Sequence, residues 1–390
     1  MHNSYIQVVD FFSGAGGTSL GFSALNSLGN VFEFLGGCDI DQASATTYST
    51  NFGTPLLCRD ILDVAQDATH IRAFLEELGY DATKPAILIG CPPCQGFTSH
   101  RKRHWDKEDD RRNNLAAAFA RIVDIARPTA FVMENVPEFL SSRYRSYYSR
   151  CMQILEDAGY KVKKSIYNSA AFGVPQERYR SIVIGMRREF CLPDEIYTTA
   201  EFKNVRDAIA DLPVLSPGET SSDPLHRAVK HKASTIETIR KVPRNGGSLP
   251  SGEGPACRSR TKGFADVYGR LSWDKPSITV THYARNPASG RFVHPEQDRG
   301  LTAREAARLQ SFPDNYLFSG GFDDIYRQIG EAVPPLLACG VASYLLANII
   351  LPEPTPKELE AARASLEEPV SNSYSSVIAG IKYRRLREQL

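Results

Sequence analysis

Two cysteines, Cys91 and Cys94, stand in ILIGCPPCQGFT directly after an apolar run. Cys-x-x-Cys fits a redox pair, half of a metal site, or one nucleophile beside an incidental thiol. The chain lacks the small-domain context of a thioredoxin-like redox pair. Zinc could recruit His100 and His104, but only five residues separate the two pairs, against about twelve in a zinc finger, so no metal is expected. Pro92 and Pro93 stiffen the turn and cannot continue a strand. Cys94 is therefore presented beyond a rigid turn as the candidate nucleophile, and Cys91, beside the strand, reads as a buried structural thiol. Such a thiol is mostly protonated at neutral pH and needs activation by its surroundings.

Other reactive groups close other apolar runs. Glu134 ends one in MENV, where its bland reading is a solvated strand end. PQERYR sets Arg178 and Arg180 two residues apart. On a strand that spacing places both on one face, so both guanidiniums could reach one site, unless they form surface ion pairs. In DFFSGAGG, glycines between a strand and a helix let the backbone approach a ligand and offer N–H groups to an anion. Asp39 closes the next strand, where an acid can accept from ribose hydroxyls, and Asp60 in CRDIL is placed to address an adenine edge. The set suits an adenosine-bearing cofactor, although Ser19 holds the last place of an incomplete G-x-G-x-x-G, and a glycine-rich turn without a ligand is the alternative.

The elements that must position these groups alternate. IQVVDFF, VFEFLGGCD, AILIG, TAFVMEN and YRSIVIGM read as strands. TSLGFSALNSLG, DATHIRAFLEELG, LAAAFARIVDIA and YYSRCMQILEDAG read as helices, with Leu115, Phe119, Ile122, Val123 and Ala126 on one face. Alternation of this kind predicts an α/β, doubly wound, mostly parallel sheet. Residues 1–190 form this cofactor-binding and catalytic domain. Residues 191–298 are rich in Pro, Gly, Ser and basic residues, with strand-like runs such as PSITVTHY, and read as a smaller irregular domain. Residues 299–352 return to helices, the last one apolar and rejoining the first domain, and 353–390 is a charged tail, helical at RRLREQL.

Composition narrows the class. With 42% hydrophobic residues the chain can bury a core. Eight irregularly spaced cysteines suggest no disulfide framework and a reducing, cytoplasmic home. The N-terminus lacks a basic signal region, and VASYLLANIIL is too short to cross a bilayer. The net charge of +1 hides a local excess: from His226 to Lys262 there are nine Lys or Arg against Glu237 and Glu253.

The stretches quoted above resemble, in order from about residue 7 to 350, the motifs of the bacterial cytosine carbon-5 DNA methyltransferases. DFFSGAGG is similar to their cofactor loop, GCPPCQGFT to their nucleophile loop, MENV to their Glu-Asn-Val motif and QERYR to their Gln-x-Arg-x-Arg motif. RGLTAREAARLQSFPDNY and IGEAVPP are similar to the closing motifs, with Glu331 where many members carry Asn. The resemblance implies a Rossmann-like fold, S-adenosylmethionine as cofactor, and a Cys94 thiolate that adds to carbon 6 of a cytosine, making carbon 5 nucleophilic. It implies that Glu134 holds the base at N3 and its amino group, that Arg180 contacts its carbonyl oxygen, and that Arg178 supports the loop or a phosphate. Cofactor contacts are implied for Phe12, Ser13, Gly14, Ala15, Gly16, Gly17, Asp39, Ile40, Asp60, Ile61, Pro93, Leu115, Glu331 and Ala332. The target base must be flipped out of the duplex. TSHRKRHWDKEDDRRNN is then a lid over double-stranded DNA.

Contacts to DNA are expected from Gln95 and Arg101 near the nucleophile, and from Lys230, Lys232, Arg244, Arg258 and Arg260 in the basic run, which lies in the family's target-recognition region. A monomer, no membrane, and a cognate restriction endonuclease outside any physical complex complete the expectation. The competing readings are a transfer-RNA methyltransferase on the same scaffold, a dead DNA-binding paralogue, and a NAD-dependent oxidoreductase. The long recognition region and YGRLSWDKPSITVTHY…GRFVHP favour DNA, and intact Cys94, Glu134 and glycine loop argue against a dead paralogue.

Overall fold

A computed structural model describes residues 5–93, 114–141, 145–254 and 266–361. Cys94, Gln95, Arg101, Arg258 and Arg260 lie outside the described residues, as do nearly all of the expected lid and the RRLREQL helix. The chain divides into two compact units: Met1–Asn168 with Tyr179–Asp194 and Ala338–Leu390, and Ser169–Arg178 with Glu195–Leu337. Residues 299–337, expected as closing motifs, fall in the second unit, and so does the 169–178 turn.

The first unit is built on seven strands: β1 (Ile6–Phe11), β2 (Phe32–Asp39), β3 (Leu56–Cys58), β4 (Ala86–Gly90), β5 (Ala130–Asn135), β6 (Lys161–Asn168) and β7 (Tyr179–Met186). Their order is β3-β2-β1-β4-β5-β7-β6. The first five are parallel, and β7 runs antiparallel between β5 and β6. β1, β4 and β7 are buried along their whole length. β4 accordingly reads as an unbroken apolar run, whereas β1 and β7 bury Gln7, Asp10, Arg180 and Ser181 among their apolar residues. The main helices are α1 (Gly17–Ser23), α2 (Gln42–Phe52), α3 (Ile61–Val64), α4 (Ala68–Glu77), α5 (Leu115–Ala126) and α6 (Arg145–Asp157). All five residues of the face read from α5's periodicity are buried, and Phe119 meets Phe11 and Phe131 edge-on in the core.

Two details of this packing fix the site. β2 carries a bulge opposite Val8 and Val9, where Gly36 takes φ 118°, a conformation glycine adopts without penalty. Past it, Gly37 lies so close to β1 that a Cβ there would stand 1.8 Å from the Asp10 carbonyl oxygen. The sheet order also turns both ways from the centre: β1 is flanked by β2 and β4, so a crevice opens at their carboxyl ends, the usual ligand position in open α/β sheets.

The second unit has only isolated bridges among its described residues. The strand-like PSITVTHY forms no strand. Ser277 N donates to the Pro175 carbonyl and Val280 N to the Gln176 side chain, and with Pro175 and Pro276 removing donors no ladder can continue. The unit is instead organised around Ile239, Val242, Leu249, Tyr268 and Val293 and two buried arginines. Arg270 donates to the carbonyls of Ile239, Val242, His294 and Gln297 and pairs with Asp298. Arg299 makes a two-pronged pair with Glu305 at 2.8 and 2.7 Å. The run Phe322–Ile350 has the composition of a membrane span. Residues 332–334 break it into helices of 10 and 16 residues, each short of the roughly 20 a bilayer needs.

Candidate active site

The carboxyl edge of the sheet collects the reactive groups of the first unit. β5 ends in Glu134 and Asn135, and β7, running the other way, starts at the same edge with Tyr179 and Arg180. Glu134 Oε1 accepts from Arg180 Nε at 2.7 Å, with the two side chains 12% and 11% exposed. Arg180 Nη1 donates to the Tyr179 carbonyl at 2.7 Å. A carboxylate and a guanidinium are thus fixed side by side.

Asn135 ties this pair to the cysteine turn. Its Nδ2 donates to the Pro92 carbonyl at 3.0 Å, and its Oδ1 accepts from Val136 N at 2.9 Å. Ser181 Oγ lies 3.1 Å from the Asn135 and Val136 carbonyls. The turn that leads to Cys94 is therefore anchored to the strand that carries Glu134. Asn135 was legible as part of MENV, but no residue pattern showed that its amide reaches across to Pro92. Just beyond it, Glu138 is 2% exposed with Oε2 unpartnered, and burial pushes its carboxyl to about 7.

Cys91 is half-buried rather than buried as a whole residue. Its Sγ lies 3.5 Å from Thr18 Oγ1, and burial, reinforced by the Glu134 and Asp10 carboxyls, pushes the thiol well above its ordinary range. A thiol held protonated is a poor nucleophile.

The glycine loop after β1 is well bonded, and its left-handed backbone falls mostly on glycines. Phe12, Gly14 and Gly16 have φ of 55°, 51° and 78°. Gly14 N donates to Asp39 Oδ2 at 2.8 Å and Asp41 N to Oδ1 at 2.9 Å. Burial raises the Asp39 carboxyl, and these backbone bonds oppose that shift. A carboxylate has lone pairs for further donors after two such bonds. Ala15 and Ser13 are buried, Gly17 opens α1, and Ile40 projects beside Asp39 at 71% exposure. Asp60 lies two residues past β3 rather than on it, and caps α3 by accepting from Leu62 N at 2.9 Å. Ile61 and Leu115 are packed in the core, and Pro92 and Pro93 lead out of β4.

Arg178 lies outside the strand that carries Arg180. β7 begins at Tyr179, so Arg178 precedes the strand and the two-residue alternation does not extend to it. Within the second unit its guanidinium donates to the carbonyls of Val280, Gly330 and Ala332 at 3.1 Å. Gln176 and Gln310 complete a buried amide network, Gln310 Nε2 donating to the Ala332 carbonyl at 2.6 Å. Arg178 is thereby a positioning residue for the turn that contains Glu331 and Ala332. Glu331 ends the helix Phe322–Glu331 and is half exposed. In the basic run, Lys241 pairs with Glu253 and Arg240 with Asp298, while Lys230, Lys232 and Arg244 are exposed with no ion pair among the described residues.

The sequence profile of the C-5 cytosine-specific DNA methylase family matches residues 6–347. Type II methyltransferase M1.HphI of Haemophilus parahaemolyticus is 36% identical over 340 residues, covering 87% of this chain and 86% of its own. Type II methylase M.HgiDII of Herpetosiphon aurantiacus is 31% identical, with 86% and 93% covered. Among solved structures, one assigned provisionally as a DNA modification methyltransferase encoded within a prophage (E. coli) superposes with a TM-score of 0.63 at 25% identity, covering 88% of this chain and 99% of that one.

Proposed function

The chain belongs to the C-5 cytosine-specific DNA methylase family and is a DNA cytosine-5 methyltransferase; we propose that it uses S-adenosylmethionine, works through a covalent bond from Cys94, and serves as the modification enzyme of a Type II restriction–modification system in the cytoplasm. The observation that carries the mechanism is the Glu134–Arg180 pair, fixed at the sheet edge beside a turn that Asn135 anchors.

The residues of the loop fit the cofactor. Three consecutive alternate positions, 12, 14 and 16, hold the backbone open, Asp39 keeps acceptor capacity for ribose hydroxyls, and the buried Asp10 Oδ1 and Ser13 Oγ have no partner among the described residues. When bound, S-adenosylmethionine supplies an electrophilic methyl group. Cys94 adds to carbon 6 of the flipped cytosine. Glu134 accepts from the amino group and stabilises the charge that develops at N3, and Arg180 holds the carbonyl oxygen; groups fixed in advance of the reaction stabilise such charge without reorganising. Cys91, held protonated, stays out of the chemistry. The family and its Type II relatives favour DNA over transfer RNA as the substrate.

Labelled methyl transfer from S-adenosylmethionine onto duplex DNA and onto bulk tRNA tests the reading. Counts in DNA, mapped to one cytosine by bisulfite sequencing, are expected; transfer to tRNA alone contradicts it.

A further inference from the structure

Asp10 lies in the middle of the sheet, on the end of β1 that feeds the cofactor loop, and is 0% exposed. Its Oδ2 accepts from Ser19 Oγ at 2.6 Å, and Ser19 Oγ lies 3.0 Å from Tyr48 Oη. Its Oδ1 has no partner among the described residues, and three residues on, neither does Ser13 Oγ. The rest of the loop is satisfied: Phe12 N donates to the Cys38 carbonyl, Gly16 N to the Ser13 carbonyl and Gly14 N to Asp39. Buried polar groups without partners are rare in native proteins, and two bracketing one turn mark a place built for something polar. The groups that face Asp10 are Ser19 on α1, itself 3.0 Å from Tyr48 Oη on α2, Asp39 at the end of β2 and Cys91 after β4; no described Lys, Arg or His neutralises it. Burial, with Asp39 adding to it, pushes its carboxyl from the ordinary 3.8 to about 7.

We propose that Asp10 is a charge sensor for the cofactor: the cationic sulfonium, bound at the loop that the orphaned Asp10 Oδ1 and Ser13 Oγ bracket, draws the proton off this carboxyl and into solvent. The proposal rests on the reading of this loop as the S-adenosylmethionine site. A positive charge brought into a low-dielectric site lowers the pKa of a neighbouring acid. The product, S-adenosylhomocysteine, has lost the sulfonium charge and lowers it less. One buried carboxyl would thus distinguish substrate from product by a single charge and favour exchange of spent for fresh cofactor.

The sign follows from linkage. A pKa near 7 without cofactor and lower with it means that binding releases a proton at pH values between the two, most strongly near about pH 6 and hardly at all above about pH 9, and that affinity rises with pH up to about 7. Calorimetric titration of the full chain with each ligand, in two buffers of equal pH and different ionisation enthalpy, counts the protons. At about pH 6.5, release with S-adenosylmethionine should exceed that with S-adenosylhomocysteine by a sizeable fraction of a proton, and the excess should vanish by about pH 9. Asp10→Asn should abolish the excess and narrow the affinity gap between the two ligands severalfold. Should that variant not fold, Ser19→Ala decides, because losing a bond to the ionised form should move the release profile to higher pH. Equal release for both ligands, an excess that survives Asp10→Asn, or a profile unmoved in Ser19→Ala overturns the proposal. If S-adenosylmethionine fails to bind at all, the cofactor reading falls and the sensor with it; binding without differential release removes the sensor alone.

Discussion

Glu134 and Arg180 illustrate how much one pair of side chains decides. Glu134→Gln keeps the shape and a bond to Arg180 but removes the charge, so single-turnover methylation should slow roughly a hundredfold, about 3 kcal/mol, with DNA affinity little changed. A near-native rate in rapid-quench measurements would show that Glu134 is not catalytic. Cys91→Ser should retain activity and lose about 1 kcal/mol of stability at most, read by urea denaturation. At this scale the sequence showed each group but not its partner. Glu134 and the arginines were legible because apolar runs end at them. The Glu134–Arg180 bond was not, because it depends on β7 entering antiparallel beside β5, which no local pattern encodes. The same-face argument for Arg178 and Arg180 does not apply, because the strand begins at Tyr179, one residue after Arg178.

At the scale of elements, the site is held by contacts between strands. Asn135→Ala breaks two buried bonds and strands the Pro92 carbonyl, costing about 2 kcal/mol, and loosens the turn that leads to Cys94, so the rate should fall more than stability alone explains. Asn135→Asp keeps the acceptor for Val136 N but sets a buried carboxylate against the Pro92 carbonyl, so it should destabilise at least as much as Asn135→Ala in denaturation. Gly37→Ala drives a methyl into the backbone of Asp10; a loss of roughly 3 kcal/mol or more is expected, measured as a lower melting temperature. Most strands and helices of the first unit were legible because buried parallel strands and amphipathic helices have distinct periods; the lysine-rich β6 and the mostly polar α2 were not. The second unit was not. Alternation in PSITVTHY records a preference for extended backbone, and whether a strand forms depends on a partner, which here is a glutamine side chain and a proline-broken turn.

For the whole molecule, division of labour is the testable matter. Exchanging residues 195–337 for the matching region of a relative should transfer the relative's methylated site, detected by bisulfite sequencing. A junction at 272 would separate Arg270 from the carbonyls of His294 and Gln297, so a graft ending there should fold poorly where the longer one folds. Retention of the original site by a folded chimera would place specificity outside this unit. Lys230→Ala and Lys232→Ala should each weaken all DNA sequences alike and flatten the salt dependence of binding by about one unit. Composition signalled this basic run, but not which of its charges are already paired, since Asp298 lies far along the chain from Arg240.

The central claim is a covalent bond between Cys94 and cytosine. Duplex DNA bearing 5-fluorocytosine at the target position cannot release its carbon-5 substituent as a proton, so with S-adenosylmethionine present it should trap the enzyme. Mass spectrometry of the digested complex should find the nucleotide on the peptide at Cys94, with no complex formed by Cys94→Ser. An adduct on Cys91, one that persists in Cys94→Ser, or no adduct from an enzyme that methylates ordinary DNA would contradict the account.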